Sequence, residues 1–452
     1  MKKIVLSIFA IAIGMAGCNP KMKNPNTGRV SHTDWSLCAT IYEVNIRQYT
    51  PKGTFRAFEL ELPRLQKMGV GILWLMPINP LGEKNRKGKL GSYYSVHDYL
   101  AVNPEYGTML DFRNLVKKAH ELGMKVIIDW VANHTSWDNA LITQHPDWYK
   151  KDSIGNIISP VADWTDVAGL DYSNPGLRKY MTDALGYWIK ETDIDGYRCD
   201  VAGMLPVDFW HQAISEIQKI KPLFMLAEEE TPKIHDTGFF DASYSWQLYR
   251  LMNQIAKGTK TADKIDSLYS TEKKQYSPDA YRMRFTSNHD ENSWNGTEYE
   301  RLGDGTKTFA VLTFTFPGIP LIYSGQESAM NKRLRFFDKD TIPWGNYLLE
   351  SFYTKLIQLK KNNKLLASGV EGGEFIKVAS SNDKEVYAFI RKNPHGQIFV
   401  LLNLSPKEQT VQLNGNEFPG QYTELFTGKS KEWKSGEKVK LNPWQYFVYE
   451  AE

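Results

Sequence analysis

Between about Cys38 and Asn362, short apolar runs alternate with segments of helical periodicity, and three of these runs end in an acid. Gly71-Ile-Leu-Trp-Leu-Met76 and Lys125-Val-Ile-Ile-Asp-Trp-Val131 are apolar throughout, as strands buried on both faces must be. Strand candidates also lie at Thr40 to Ile46, Ile194 to Cys199, Leu223 to Ala227, near Phe239, at Arg282 to Thr286 and at Ile319 to Tyr323. Helical periodicity falls between them at Phe55 to Met68, Leu110 to Leu122, Leu177 to Glu191 and Phe209 to Ile220. Eight strands in this rhythm predict an α/β fold, a closed (β/α)8 barrel of the TIM type, over residues 36–366. The segment 135–174 is too long for a βα loop and is expected to form a small subdomain inserted after strand 3, above the strand ends. From 367 to 452 the texture changes to short β-like runs separated by Asn- and Gly-containing turns, which predicts a C-terminal all-β sandwich.

Bulk properties narrow the setting. At 452 residues the chain is too long for one core, and a formal charge of +3 gives no reason to expect a nucleic-acid partner. Residues 1–17 read as export machinery: Lys2-Lys3, an apolar stretch from Ile4 to Met15, then Ala16-Gly17. That stretch is too short for ~30 Å of hydrocarbon. Met15-Ala-Gly-Cys18 resembles a bacterial lipobox, which makes Cys18 the expected lipidated N-terminus and the lipid its only membrane contact. Residues 18–35, polar and holding Pro20 and Pro25, are expected to be a flexible tether. The expected location is therefore the bacterial envelope, where the absence of an acid in Asn19-Pro-Lys-Met-Lys23 favours the periplasmic face over exposure at the cell surface, the alternative. Cys38 and Cys199 are both expected inside central strands, unpaired.

Asp200 closes Gly196-Tyr-Arg-Cys-Asp200, Glu228 closes Leu223-Phe-Met-Leu-Ala-Glu228, and Asp290 closes Phe285-Thr-Ser-Asn-His-Asp290. The strands of a parallel barrel end on one face, so acids far apart in sequence meet there. Arg198 and Asp200 share one side of their strand, and the guanidinium is expected to hold the carboxylate ionised. Carboxylates on adjoining strands suit glycosidic cleavage, in which one attacks and the other donates a proton. Negative charge around Glu228 is expected to raise its pKa and keep it an acid. Asn288-His289 and Asn133-His134 each follow a strand close to an Asp (Asp290, Asp129), a repetition hard to attribute to structural histidines.

Together, Asp129-Trp-Val-Ala-Asn-His134, Gly196-Tyr-Arg-Cys-Asp200, Ala227-Glu228 and Phe285-Thr-Ser-Asn-His-Asp290 resemble the four ordered signature regions of the alpha-amylase family of glycoside hydrolases. The resemblance implies Asp200 as nucleophile, Glu228 as acid/base and Asp290 as transition-state stabiliser. It implies that His134, His289 and Arg198 bind and orient substrate and that Tyr94 stacks on the sugar. The implied reaction is retaining cleavage of alpha-1,4-glucosidic bonds in starch-derived glucans or maltodextrins, with no cofactor required. Transglycosylase or branching chemistry would use the same residues, whereas a non-catalytic glucan-binding protein would be expected to have lost one of the acids. Two departures bear on calcium. Gly203 and Met204 stand where many members carry Lys-His, and Gly169 stands where a ligating Asp is usual. Asn133 is the one ligand candidate kept, and although Asp163 and Asp166 could compensate for the missing carboxylate, no structural calcium is expected.

Overall fold

The computed structural model describes residues 32–452. The signal segment, the lipidation site Cys18 and most of the expected tether lie outside them. Eight parallel strands close a barrel: β1 (Ile41–Val44), β2 (Ile72–Leu75), β3 (Lys125–Trp130), β4 (Gly196–Cys199), β5 (Phe224–Ala227), β6 (Ala242–Tyr244), β7 (Tyr281–Arg284) and β8 (Ile319–Tyr323). Each pairs with its sequence neighbours, and β8 returns to β1 through Ile41 opposite Leu321. Ile41, Ile72, Ile127, Leu226, Ala242, Met283 and Ile319 fill the barrel interior. Alternate residues such as Tyr42, Leu73, Ile128, Tyr197 and Met225 face the surrounding helices. The alternation decides the chemistry, because Glu43, Asp129 and Glu228 each lie two residues beyond an inward apolar residue (Ile41, Ile127 and Leu226). Gly196, where β4 passes β5, has no room for a side chain: a Cβ would sit 1.9 Å from the Phe224 carbonyl oxygen.

The helices around the barrel include α1 (Phe55–Glu59), α2 (Leu62–Met68), α3 (Met109–Glu121), α4 (Pro175–Thr192), α5 (Val207–Ile217), α6 (Trp246–Ala256), α7 (Lys264–Gln275), α8 (Thr306–Thr315) and α9 (Glu350–Asn362). The single helix expected over Phe55 to Met68 is two, because Pro63 enters in the first turn of α2 and has no N–H to continue a ladder from α1. Cys38 lies in the turn before β1 rather than inside a strand, while Cys199 is buried in β4, and both are unpaired. The end of the expected tether is docked. The His32 ring bonds the Asp241 carboxylate (2.7 Å) and the Asp279 carbonyl (2.8 Å) and stacks on Tyr281 at 4.0 Å.

After β3 the chain forms the hairpin His134–Ser136 with Val167–Gly169, and the intervening residues stand over the strand ends. Beyond α9 comes an antiparallel ladder of β9 (Glu374–Ser380), β10 (Val386–Asn393), β11 (Gly396–Asn403), β12 (Gln409–Asn414), β13 (Gly420–Glu424), β14 (Ser430–Trp433), β15 (Lys438–Leu441) and β16 (Tyr446–Ala451). Its order is β14-β13-β16-β11-β10-β9-β12-β15. The ladder folds over an apolar interior of Val386, Ala388, Phe399, Leu401, Leu413 and Trp433. Its other face, with Tyr387, Phe389 and Val400, joins the core of the barrel domain.

Candidate active site

Arg198 organises the mouth of the barrel. It is fully buried, and its two terminal nitrogens reach three carboxylates on three strands. Nη1 donates to Asp129 (3.0 and 3.2 Å) and to Asp200 (2.8 Å), and Nη2 pairs with Glu228 at 3.0 Å. Nε donates to the Tyr244 hydroxyl at 3.2 Å. The guanidinium also lies over the rings of Trp74, Tyr94 and Tyr244 at 5.1 to 5.8 Å. Removing a charge from water is tolerable only with such pairing.

One cation for three acids leaves negative charge over, and the pKa values follow. Burial, with Asp129 and Asp290 adding to it against Arg198, pushes Asp200 up to about 6. Arg198, expected to hold Asp200 ionised, does lower the carboxyl, but the guanidinium is shared with two other acids and burial outweighs it. Glu228 is pushed up to about 7 by burial, with Asp200 and Asp290 adding to it, against Arg198 and a backbone bond that lower it. That bond runs 2.8 Å from the Val201 amide to Glu228 Oε2. Val201 holds φ 38°, a left-handed conformation that strains a β-branched residue.

Around the acids, the Tyr94 hydroxyl lies 3.2 Å from Asp129 and 2.7 Å from His289 Nε2, and that nitrogen is 3.4 Å from Asp290. The Asp290 side chain is 37% exposed, the most open of the acids, so it can meet a ligand. His134 is buried beside Trp164 (5.4 Å), and burial pushes its pKa down to about 4, so it meets the cleft as a neutral ring. Tyr94, His134, Asp200, Glu228 and Asp290 all line one cleft of about 1280 Å³, and Arg198 and His289 lie directly beneath it.

Sequence reasoning missed the aromatic wall of that cleft, formed by Trp164, Trp294, Phe336 and Phe337. Trp164, Phe336 and Phe337 sit on loops and Trp294 in the short π-helix Glu291–Asn295, with no periodicity to mark them. It also missed Glu43, whose only signal was a charge inside an apolar strand. Glu229 and Glu230, which follow the acid Glu228 in the loop, are both tied in. Glu229 accepts from the Glu230 and Thr231 amides (2.6 and 2.7 Å), and Glu230 pairs with Arg250 at 2.6 Å. The fixed Glu229 explains Gly203, since a Cβ there would lie 1.5 Å from its carboxylate oxygen.

The residues do not fit a structural calcium. Gly169 offers no side chain, Met204 is exposed, and Asn133 brings a neutral amide oxygen rather than a carboxylate. The nearby Asp166 carboxylate is paired with Lys87 at 3.2 Å, and Lys87 also donates to the Asp163 carbonyl at 2.6 Å. Among the described residues no three His, Cys, Asp or Glu side chains are grouped to hold a metal ion. An ammonium thus holds the oxygens that a hard cation would need.

Comparison with known proteins agrees with this geometry. Residues 43–164 and 160–365 match the alpha-amylase catalytic domain, and 376–448 match the maltogenic amylase C-terminal domain. Alpha-amylase 2 of Dictyoglomus thermophilum is 27% identical over 412 residues, covering 83% of this chain and 67% of its own length. Cyclomaltodextrinase of Thermoanaerobacter pseudethanolicus is 29% identical over 417 residues, covering 84% of this chain and 67% of its own. The crystal structure of a noncanonic maltogenic alpha-amylase, AmyB from Thermotoga neapolitana, superposes with a TM-score of 0.83 at 31% identity, covering 92% of this chain and 98% of that one. The chain belongs to the alpha-amylase family of glycoside hydrolases.

Proposed function

We propose that this protein hydrolyses alpha-1,4-glucosidic bonds in starch-derived glucans or maltodextrins with net retention. The observation that carries the reading is the Arg198 fork, which binds Asp200 through one nitrogen and Glu228 through the other. A single guanidinium spanning both acids suits the short separation of retaining enzymes, about 5–5.5 Å, rather than the wider gap an inverting water needs. Asp200 attacks the anomeric carbon while Glu228 gives its proton to the departing oxygen, leaving a glycosyl-enzyme. Glu228, now a carboxylate, takes a proton from water, and that water displaces Asp200 from the sugar. Asp290 holds the distorted ring, Tyr94 stacks on it, and His134, His289 and Arg198 orient its hydroxyls and the acids. The names of the relatives, alpha-amylase and cyclomaltodextrinase, support an alpha-glucan substrate.

The test is product analysis on maltoheptaose by proton NMR, wild type beside Asp200→Asn. Alpha-anomeric maltooligosaccharides from wild type alone are expected. Beta-anomeric first products would overturn retention, and longer or branched products would assign the enzyme to transglycosylation.

The protein is further proposed to be exported and lipid-anchored through Cys18, facing the periplasm. His32 docks beside Asp241 and Tyr281, at the end of β6 and β7 away from the carboxylates, an arrangement that would leave the cleft open on an anchored molecule. Mass spectrometry of the membrane fraction is expected to find a diacylglyceryl group on Cys18, lost in Cys18→Ser.

A further inference from the structure

The site contains a second buried charge pair, Glu43 with His289, whose acid the catalytic scheme leaves unused. Glu43 ends the inward row of β1 and is completely buried, as is all but 2% of His289. Glu43 Oε1 lies 2.5 Å from His289 Nδ1 and also takes the His289 backbone amide at 3.4 Å, while its other oxygen has no partner. A buried carboxylate with one oxygen idle is costly, so the contact with His289 is what this acid is placed to make.

Both ring nitrogens of His289 have a partner within hydrogen-bond reach. With the Tyr94 hydroxyl hydrogen on Asp129, the 2.7 Å contact with His289 is donated by Nε2. Two donors converge on Glu43 Oε1, which marks it as a carboxylate, and Nδ1 must donate to it. A ring that donates from both nitrogens is an imidazolium. Resting on the glycosidase reading of the site, we propose that Glu43 is a positioning residue that fixes His289 as a cation with Nε2 bonded to the Tyr94 hydroxyl, so that His289 offsets the charge of Asp290 and holds Tyr94 at the wall of the cleft. The charged and titratable groups around the ring are Glu43 from β1, Tyr94 from the loop after β2, Asp129 from β3, Arg198 from β4 and Asp290 beside it. Burial and Arg198 oppose the charged ring, yet Asp290 and Glu43 outweigh them and raise it to about 9.

The experiment follows the ring nitrogens of 15N-histidine-labelled protein by NMR against pH, with His289→Gln to assign the signal and Glu43→Gln as the test. Wild-type His289 is expected to remain an imidazolium at pH 7.5. Glu43→Gln keeps the shape and is expected to move the midpoint down by about one pH unit or more. In the activity arm, Glu43→Gln is expected to lower kcat on maltoheptaose about tenfold with KM changed less than about twofold. In the His289→Gln background the same change is expected to alter kcat less than about twofold, because Glu43 acts through the ring. A neutral wild-type ring at pH 7.5, equal midpoints in the two proteins, or additive losses in the double variant would each overturn the proposal. If Glu43→Gln melts below the assay temperature, the wild-type titration alone decides. The NMR arm needs no substrate, so an inactive wild type with the expected titration would overturn the glycosidase reading and leave the charged pair standing.

Discussion

Two buried arginine–carboxylate clusters in this barrel behave in opposite ways. Between β7 and α7, Glu272 receives Arg284 on both oxygens (2.9 and 2.7 Å), Ser245 at 3.2 Å and Arg282 at 3.5 Å. Burial raises its pKa, but the two arginines outweigh burial and the carboxyl ends below its ordinary range. At the mouth, Arg198 serves Asp129, Asp200 and Glu228 alone, and the pKa values of all three rise. Burial is nearly equal in the two places. The number of cations per carboxylate separates an acid that holds a helix to the barrel from acids that exchange protons at neutral pH.

Asp200→Asn should produce the largest change, a fall in kcat of about 10⁴-fold or more from loss of the nucleophile, read by single-turnover hydrolysis of maltoheptaose. The corresponding change in the other cluster, Arg284→Ala, should act on stability instead. Stranding Glu272 in the helix layer is expected to remove about 3–5 kcal/mol in denaturant melts, with activity per folded molecule retained. A large kcat loss in folded Arg284→Ala protein would break the distinction.

The pH dependence should also have opposite signs. Glu272, with its folded pKa lowered, contributes stability present above its unfolded value of about 4.3 and lost as pH falls through the folded one. Glu228 and Asp200, with folded values raised, oppose folding increasingly as pH rises from their unfolded values toward about 7 and about 6. Glu228→Gln should therefore raise stability at pH 8 on the order of 2 kcal/mol and leave it unchanged at pH 4, measured by thermal melts. Activity needs Asp200 ionised and Glu228 protonated, so kcat/KM should peak between about 6 and about 7. An alkaline limb unmoved in Asp or Gln variants of Glu228 would assign that limb elsewhere. The smallest effect is expected at Val201. Glycine relieves its positive φ, which should add about 1 kcal/mol to stability while loosening the amide that aims Glu228 and lowering kcat a few-fold.

Much of this was readable before any coordinates. Ile72–Leu75 and Lys125–Trp130 are apolar enough to admit only a doubly buried strand, Asp200 and Glu228 each follow a strand directly, and Asp290 comes six residues after one. What escaped reading depends on contacts between distant segments. Glu43 and His289 are 246 residues apart in the chain. Phe336 meets Trp294 at 5.2 Å across 42 residues of chain, and His32 is held by residues more than 200 positions away. The helix break at Pro63 was local and legible; the apolar spacing of Phe55 to Met68 simply outweighed it.

The sequence by itself determined the barrel and which carboxylates reach its mouth, because strand alternation and parallel closure leave their side chains no other direction. Only the tertiary structure decided their state. Protonation depends on how completely water is excluded and on how many acids share one guanidinium, and both are sums over groups brought from every strand.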